Sequence, residues 1–347
     1  MRILIVKMSA LGDVIHALPV LAYLKQAAPD AEIDWVVEEA FADLLMGHPL
    51  VAQLHRVHFK QWKKQPFSSR TRNEIRTVAA ALAARSYDLV FDIQGNIKSG
   101  IVTRITGCPQ RYGFTVDNTQ ERLNVLGTNR RIPMQAEDYH ITDQYLRVVS
   151  APFAFDFRGR DLEAQVATSG NDDEWARDYV RQLGAERVVL CHMGTTWETK
   201  FWHEDGWVAL GRQLAEVFPQ VLQLYSWGNA DEQQVAGRVV QAIGSRAQVI
   251  DRMPLSRLAA VLKKVNLVMG GDTGVVHLAA AVGTPTVSYY RSSDGARSGP
   301  RGSKHRIIQA PMPCTGCFKT RCTRDVECRA SITPDMVVTA IRQLTSL

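Results

Sequence analysis

Two phosphate-binding signatures are missing from this chain. No G-x-G-x-x-G occurs, which argues against a NAD-linked dehydrogenase. No G-x-x-x-x-G-K-[ST] occurs either, which argues against a P-loop kinase. Long apolar runs are also missing. Residues 266–290 come nearest, and Gly, Asp and Pro break them too often for a bilayer span. The apolar run at the N-terminus is interrupted by Lys7, Asp13 and His16, so it does not read as a secretory signal. The expectation is a soluble, cytoplasmic protein. No short repeat is visible, which excludes a solenoid. Charged residues make up only 22% of the chain, too few for a disordered segment or a coiled coil, while 46% hydrophobic residues can build real cores. With 347 residues, one large or two ordinary domains are expected. The excess of positive charge is small, +6 with a pI near 9.0, and suggests an anionic partner without specifying nucleic acid.

Apolar runs of strand length alternate with helical patterns in both halves. In the first half, strands are expected at 2–7, 32–37, 54–59 and 88–93, with helices at about 13–28, 71–86 and 135–150. In the second, strands fall near 187–193, 220–226, 247–251, 267–272 and 284–290. Helices there fit 172–184, 204–218, 230–243, 255–264 and 274–282. Such alternation means parallel sheets covered by helices on both faces. Two successive sets imply an α/β chain of two Rossmann-like, doubly wound domains facing a cleft, joined within 150–175. The divisions expected are 1–160, 170–333 and a C-terminal helix at 334–347 that packs back on the first domain.

The most informative stretch is NLVMGGDTGVVHLAAAVGTP, residues 266–285. It reads as a strand, a turn and a helix whose N-terminus offers backbone N–H groups and a positive dipole end to a diphosphate. Gly270 and Gly271 would let a phosphate approach the backbone. Thr273 as an ordinary N-cap explains the cap but neither the double glycine nor His277. Other strand ends carry polar residues. After strand 187–193 come Thr195, Thr196 and Lys200, either a phosphate loop or a plain polar loop. After strand 220–226 comes Glu232, either a partner for ribose hydroxyls or for its own helix dipole. After the first strand come Ser9, Gly12 and Asp13. That Asp is either an N-cap or a general base, and Pro19 must shorten, kink or restart the helix behind it.

Residues 51–73 hold Arg56, Lys60, Lys63, Lys64, Arg70 and Arg72 without an acid, with Trp62 and Phe67 interleaved. This is a solvated loop or a patch for a polyanion, its aromatics lying against lipid or sugar. No nucleic-acid-binding motif accompanies it, so no nucleic acid partner is expected. Four of the six cysteines cluster as Cys314, Cys317, Cys322 and Cys328. Structural metal, reduced thiols and disulfides formed on isolation all fit, since the spacing matches no standard zinc or iron–sulfur pattern.

The opening MRILIVKMSALGDVIHALP, the segments IDWVVEEAF and DIQGNIKS, and MGGDTGVVHLAAAVGTPT resemble the bacterial ADP-heptose:lipopolysaccharide heptosyltransferases over nearly the whole chain. WVVEE and FKQWKK most resemble heptosyltransferase I members, which add the first heptose to Kdo. The resemblance implies a GT-B fold and an inverting transfer from ADP-L-glycero-β-D-manno-heptose, with no cofactor required for catalysis. It implies Asp13 as base and Ser9 and Gly12 beside the acceptor. Thr195, Thr196, Lys200, Glu232, Asp272, Thr273, Gly274 and His277 fall on the donor. Lys60, Lys63, Lys64 and Arg122 face the Kdo carboxylates and phosphates of a Kdo-lipid A acceptor. Peripheral contact with the anionic inner face of the inner membrane follows as an expectation. The cysteine segment instead resembles heptosyltransferase II and related members. A GT-B sugar-nucleotide epimerase and a non-catalytic scaffold are the competing readings.

Overall fold

The structure, a computed structural model, describes residues 1–344. The chain forms two compact units, Met1–Ala167 and Thr168–Leu347. Among the described residues no helix is long and apolar enough to cross a membrane.

In the first unit six parallel strands lie in the order β3-β2-β1-β4-β5-β6. They are β1 (Arg2–Val6), β2 (Glu32–Glu38), β3 (Gln53–Val57), β4 (Leu89–Asp92), β5 (Arg111–Phe114) and β6 (Arg130–Ile132). The central strands are apolar without alternation because helices cover both faces. Ile3, Leu4, Ile5 and Val6 are fully buried, and Ile3 pairs with Ile33 on one side and Leu89 on the other. The predicted helix 13–28 is two helices, Leu11–Ala17 and Pro19–Ala27. Pro19 lacks an N–H and cannot continue the first, but its fixed φ suits the first turn of the second. Strands β5 and β6 and the helix Ile97–Ile105 between β4 and β5 are additional to the predicted elements. Asn96 opens that helix with a reciprocal cap, accepting from Ser99 N at 2.9 Å while its own N–H donates to Ser99 Oγ at 3.1 Å.

The second unit repeats the arrangement. Strands β7 (Arg187–His192), β8 (Val221–Ser226), β9 (Ala247–Val249), β10 (Leu267–Gly271), β11 (Thr286–Tyr290) and β12 (His305–Gln309) are all parallel, in the order β12-β11-β10-β7-β8-β9. Counted from its own first strand, this is the winding of the first unit. Trp202, Trp207, Tyr225 and Tyr289 form an aromatic group within its core. The C-terminal helix, Pro334–Leu344, packs on helix Glu204–Val217 and on β11 and β12, burying Val337, Val338 and Ile341. Residues 345–347 of its predicted span lie outside the described residues.

In each sheet the strand order reverses once, between β1 and β4 and between β7 and β10. Crossovers leave those neighbouring strands in opposite directions. A crevice therefore opens beyond their carboxyl ends, where ligands bind in folds of this kind.

Candidate functional site

The switch point of the second unit collects most of the predicted donor residues. Asp272 follows β10, and Lys200 stands in the loop after β7. Lys200 Nζ donates to Asp272 Oδ2 at 2.6 Å. His277 Nε2 lies 3.2 Å from Asp272 Oδ1, one helical turn into Gly274–Ala281. Burial pushes the Asp272 carboxyl up, but His277 and Lys200 outweigh it and hold it well below the usual carboxylate range. Asp272 is thus an anion fixed between two nitrogen donors. Lys200 also lies 4.6 Å from the centre of the Trp197 ring, which limits where its ammonium can go.

Thr273 is the N-cap of that helix by position, yet its side chain makes no capping hydrogen bond. The first turn, Gly274 included, is therefore not capped by the Thr273 hydroxyl, which suits an incoming anion. Thr195 Oγ1 donates to the Asp272 carbonyl at 3.3 Å, tying the β7 loop to the β10 loop, and Thr196 is exposed beside it. Glu232 bends back over its own helix start. It accepts from Gly228 N at 2.7 Å and from Asn229 Nδ2 at 2.8 Å. Its carboxylate lies so close to Gly194 that a Cβ there would meet Oε2 at 2.2 Å. The carboxylate is therefore carried from the β8 side to the end of β7.

Neighbouring strands crowd the double glycine. A Cβ on Gly270 would stand 2.8 Å from the His192 carbonyl oxygen, and one on Gly271 3.0 Å from the Tyr289 ring. The His192 carbonyl is by itself reason for a glycine at 270, and the Tyr289 ring crowds 271.

In the first unit the loop after β1 runs through Ser9 into helix Leu11–Ala17, with Gly12 and Asp13 in its first turn. Asp13 is the third helical residue, not the N-cap. Its Oδ2 accepts from Ala10 N at 3.2 Å, and Oδ1 accepts from the Tyr145 hydroxyl at 3.0 Å. Lys7, fully buried, holds its Nζ 3.7 Å from the same Oδ1 and 4.5 Å from the Tyr145 ring centre. The carboxylate remains about one-third exposed, so it can meet a solute. Gln94, beyond β4, accepts from both Met8 N and Ser9 N at 2.9 Å and so fixes the loop. Asp92 braces Gln94 in turn. It is buried, accepts from Gln94 N, Gly95 N, Ser99 Oγ and Asn124 Nδ2, and burial pushes its carboxyl up. The motif DIQGNIKS contains these bracing residues. Tyr145 and Gln94 were not singled out by sequence, because each acts on a loop far from it in the chain.

Lys60, Lys63 and Lys64 lie exposed on a short helix, Phe59–Lys64, which replaces the end of the predicted strand 54–59. Trp62 on that helix does not face out. It is buried, and its indole N–H donates to Glu74 at 2.8 Å. Phe67 alone of the two aromatics faces solvent. Arg122 is exposed at the head of a 3-10 turn, Arg122–Leu126. The four clustered cysteines are free thiols that line one cavity of about 20 Å³. Among the described residues no three His, Cys, Asp or Glu side chains are grouped as a metal would hold them. The cysteine segment braces the loop after β7: Thr199 Oγ1 donates to the Lys319 carbonyl at 2.6 Å, and Arg291 reaches both the Phe201 carbonyl and Asp325.

The model of glycosyltransferase family 9 (heptosyltransferase) matches residues 75–326. The chain is 35% identical to lipopolysaccharide heptosyltransferase 1 of Pseudomonas aeruginosa, over 93% of this chain and 88% of that one. It is 32% identical to lipopolysaccharide heptosyltransferase 1 of Escherichia coli K12, over 90% and 94%. The solved structure of E. coli heptosyltransferase WaaC with ADP-2-deoxy-2-fluoro heptose superposes with a TM-score of 0.78 at 27% identity, covering 99% of this chain and 100% of that one. Two like-wound parallel sheets are those of the GT-B fold, and with the family match they make this chain a member of glycosyltransferase family 9, the heptosyltransferases.

Proposed function

We propose that the chain transfers L-glycero-D-manno-heptose from ADP-heptose to the Kdo of the lipopolysaccharide inner core, with inversion at the anomeric carbon. Likeness to two proteins named lipopolysaccharide heptosyltransferase 1 supports the first-heptose assignment. The observation that carries the donor half is the Lys200–Asp272–His277 group beside an uncapped helix N-terminus. In this reading an acceptor hydroxyl attacks the anomeric carbon from the face opposite ADP. Its proton goes to Asp13, and the bond to the diphosphate breaks with its electron pair on the leaving oxygen. Lys200, Thr196 and the N–H groups at Thr273–Gly274 stabilise the charge that develops there. Glu232 takes the ribose hydroxyls. Lys60, Lys63, Lys64 and Arg122 face the acceptor's carboxylates and phosphates, with Ser9 and Gly12 beside the attacking hydroxyl. Because the acceptor is a lipid, the enzyme works in peripheral contact with the anionic inner face of the inner membrane.

One observation favours a second reading. The segment Cys314–Cys328 resembles heptosyltransferase II, so a later core heptose is the alternative. A transfer assay with ADP-heptose and two acceptors, Kdo2-lipid A and the same lipid already bearing one heptose, separates them by product mass. Product from the heptose-free acceptor alone supports the first-heptose enzyme, and product from the heptosylated one alone supports the second. Donor binding without product from either would overturn both in favour of a scaffold.

A further inference from the structure

A group of large apolar side chains stands in solvent on the first unit, beginning on the helix that follows β4. Ile97, Ile101 and Ile105 follow at four-residue steps along one face of helix Ile97–Ile105, and Ile101 is 55% exposed. Leu123 and Leu126, on the turn Arg122–Leu126, are 63% and 70% exposed. The helix and the turn are packed tightly together. A Cβ on Gly127 would meet the Gly100 carbonyl oxygen at 2.4 Å, and Asn124 is buried at that seam. Ile97 N donates to the Glu121 carboxylate at 2.6 Å, so the start of the helix sits beside Arg122. The isoleucines and leucines therefore flank one seam and form a ridge. Contiguous exposed apolar side chains rimmed by polar ones mark interaction sites.

Its surroundings are basic. Lys98 and Arg104 are exposed on the same helix and Arg122 heads the turn. Lys98 lies 5.3 Å from the Phe59 ring centre, and Phe59 begins the helix that bears Lys60, Lys63 and Lys64. Both Lys98 and Lys60 act electrostatically on Glu38. The start of the apolar helix and the lysine helix are thus neighbours on one surface. Two acids adjoin it: Glu38, which interacts with both Lys98 and Lys60, and Glu121, whose carboxylate is engaged by the backbone of Ile97.

We propose that this surface docks the protein on an anionic lipid bilayer. Ile97, Ile101, Leu123 and Leu126 enter the boundary between headgroups and acyl chains, while Lys98, Arg104 and the lysine helix meet lipid phosphates. Apolar tips framed by cations on a short helix and a turn are the pattern of interfacial binding. A protein interface is instead depleted in lysine and enriched in aromatic residues. The inference rests on the reading of a lipid-linked acceptor and adds the residues that reach the lipid.

The test uses the full chain and its double variant Ile101→Glu/Leu126→Glu. Co-sedimentation is measured with phosphatidylglycerol-rich vesicles and with phosphatidylcholine vesicles, at low and high salt. The wild-type chain is expected to bind the anionic vesicles and to release as salt rises. The double variant should bind at least about tenfold more weakly, with an unchanged melting temperature and unchanged ADP affinity. Its turnover should fall on Kdo2-lipid A held in vesicles and stay the same on a delipidated, water-soluble acceptor. If the double variant melts early, Lys98→Glu/Arg104→Glu replaces it, with the same loss expected. Wild-type protein that ignores anionic vesicles, or variants that bind them as well as wild type, would overturn the docking. So would a dimer that buries the ridge and is lost in the variant. Loss of transfer by every form on the water-soluble acceptor strikes the heptosyltransferase reading instead, since vesicle binding is scored without turnover.

Discussion

Lys200 has two roles that one substitution can pull apart. It is the counter-ion of Asp272, at 2.6 Å, and in the proposed mechanism it also meets the donor diphosphate. In Lys200→Met the carboxylate keeps only His277. The lysine side chain is 17% exposed and the aspartate 11%, so the pair lies between the exposed and the fully buried case. Exposed pairs contribute about 0–1 kcal/mol, and breaking a buried one costs about 3–5. A loss of about 1–3 kcal/mol follows, read as a fall of a few degrees in melting temperature. The ligand term is separate. One charge-assisted hydrogen bond to a phosphate is worth about 1.5–3 kcal/mol, so ADP should bind about 10- to 100-fold more weakly by calorimetry. Adding Asp272→Asn removes the stranded carboxylate. It should return part of the stability and none of the ADP affinity. Unchanged ADP affinity in Lys200→Met, alongside the lower melting temperature, would show that the lysine serves the aspartate alone.

The acid response of that pair has a definite sign. Asp272 is held below the usual carboxylate range in the folded chain, so its stabilisation is fully present above the unfolded value, about pH 3.9. It is lost as pH falls through the folded value. Without Lys200 the downward shift shrinks. The stability gap between wild type and Lys200→Met should therefore be constant above about pH 5 and close below about pH 4. A gap that widens on acidification would refute the assignment.

Four further outcomes are expected. Asp13→Ala should cut turnover at least about a hundredfold while donor affinity stays within a few fold, and near-normal turnover would remove the base. Gly270→Ala should cost about 1–3 kcal/mol, because its Cβ meets the His192 carbonyl at 2.8 Å in a central strand, and an unchanged thermal melt would contradict the packing argument. His192 is buried with its ring beside Ser226, and burial lowers its pKa to about 4. The unfolded chain, titrating near pH 6.5, takes the proton first, so stability should fall as pH drops from about 6.5 to 4, and His192→Gln should flatten that slope in pH-resolved melts. Cys191, whose thiol burial pushes up to about 12, should resist a thiol reagent in the native protein while exposed Cys314 reacts, and equal reactivity would mean the second unit opens readily.

How far these features could be seen in the sequence depends on how local their cause is. The strands RILIV and LVMGG announce themselves because burial on both faces leaves them apolar throughout. RYGF, RRI and HRIIQ do not, since an arginine or histidine hides each strand. Arg111 is tolerated inside because its guanidinium donates to the Gly127 carbonyl at 2.8 Å and to that of Cys108, contacts with no trace in the local pattern. Trp62 read as an outward aromatic because the acid that anchors it, Glu74, comes a helix later. The same holds at the site. Asp272 and His277 belong to one motif and could be paired from their spacing. Lys200 is 72 residues from Asp272, and Tyr145 is 132 from Asp13. What brings the first pair together is strand order. Once β7 and β10 are neighbours at the reversal, the loops leaving their carboxyl ends must meet, and the lysine of one faces the aspartate of the other. Polar residues at strand ends therefore come together wherever the winding makes their strands adjacent. The double glycine is ambiguous for the same reason: its neighbours His192 and Tyr289 come from the strands on either side, and in sequence a glycine between two strands reads identically to a glycine facing a phosphate.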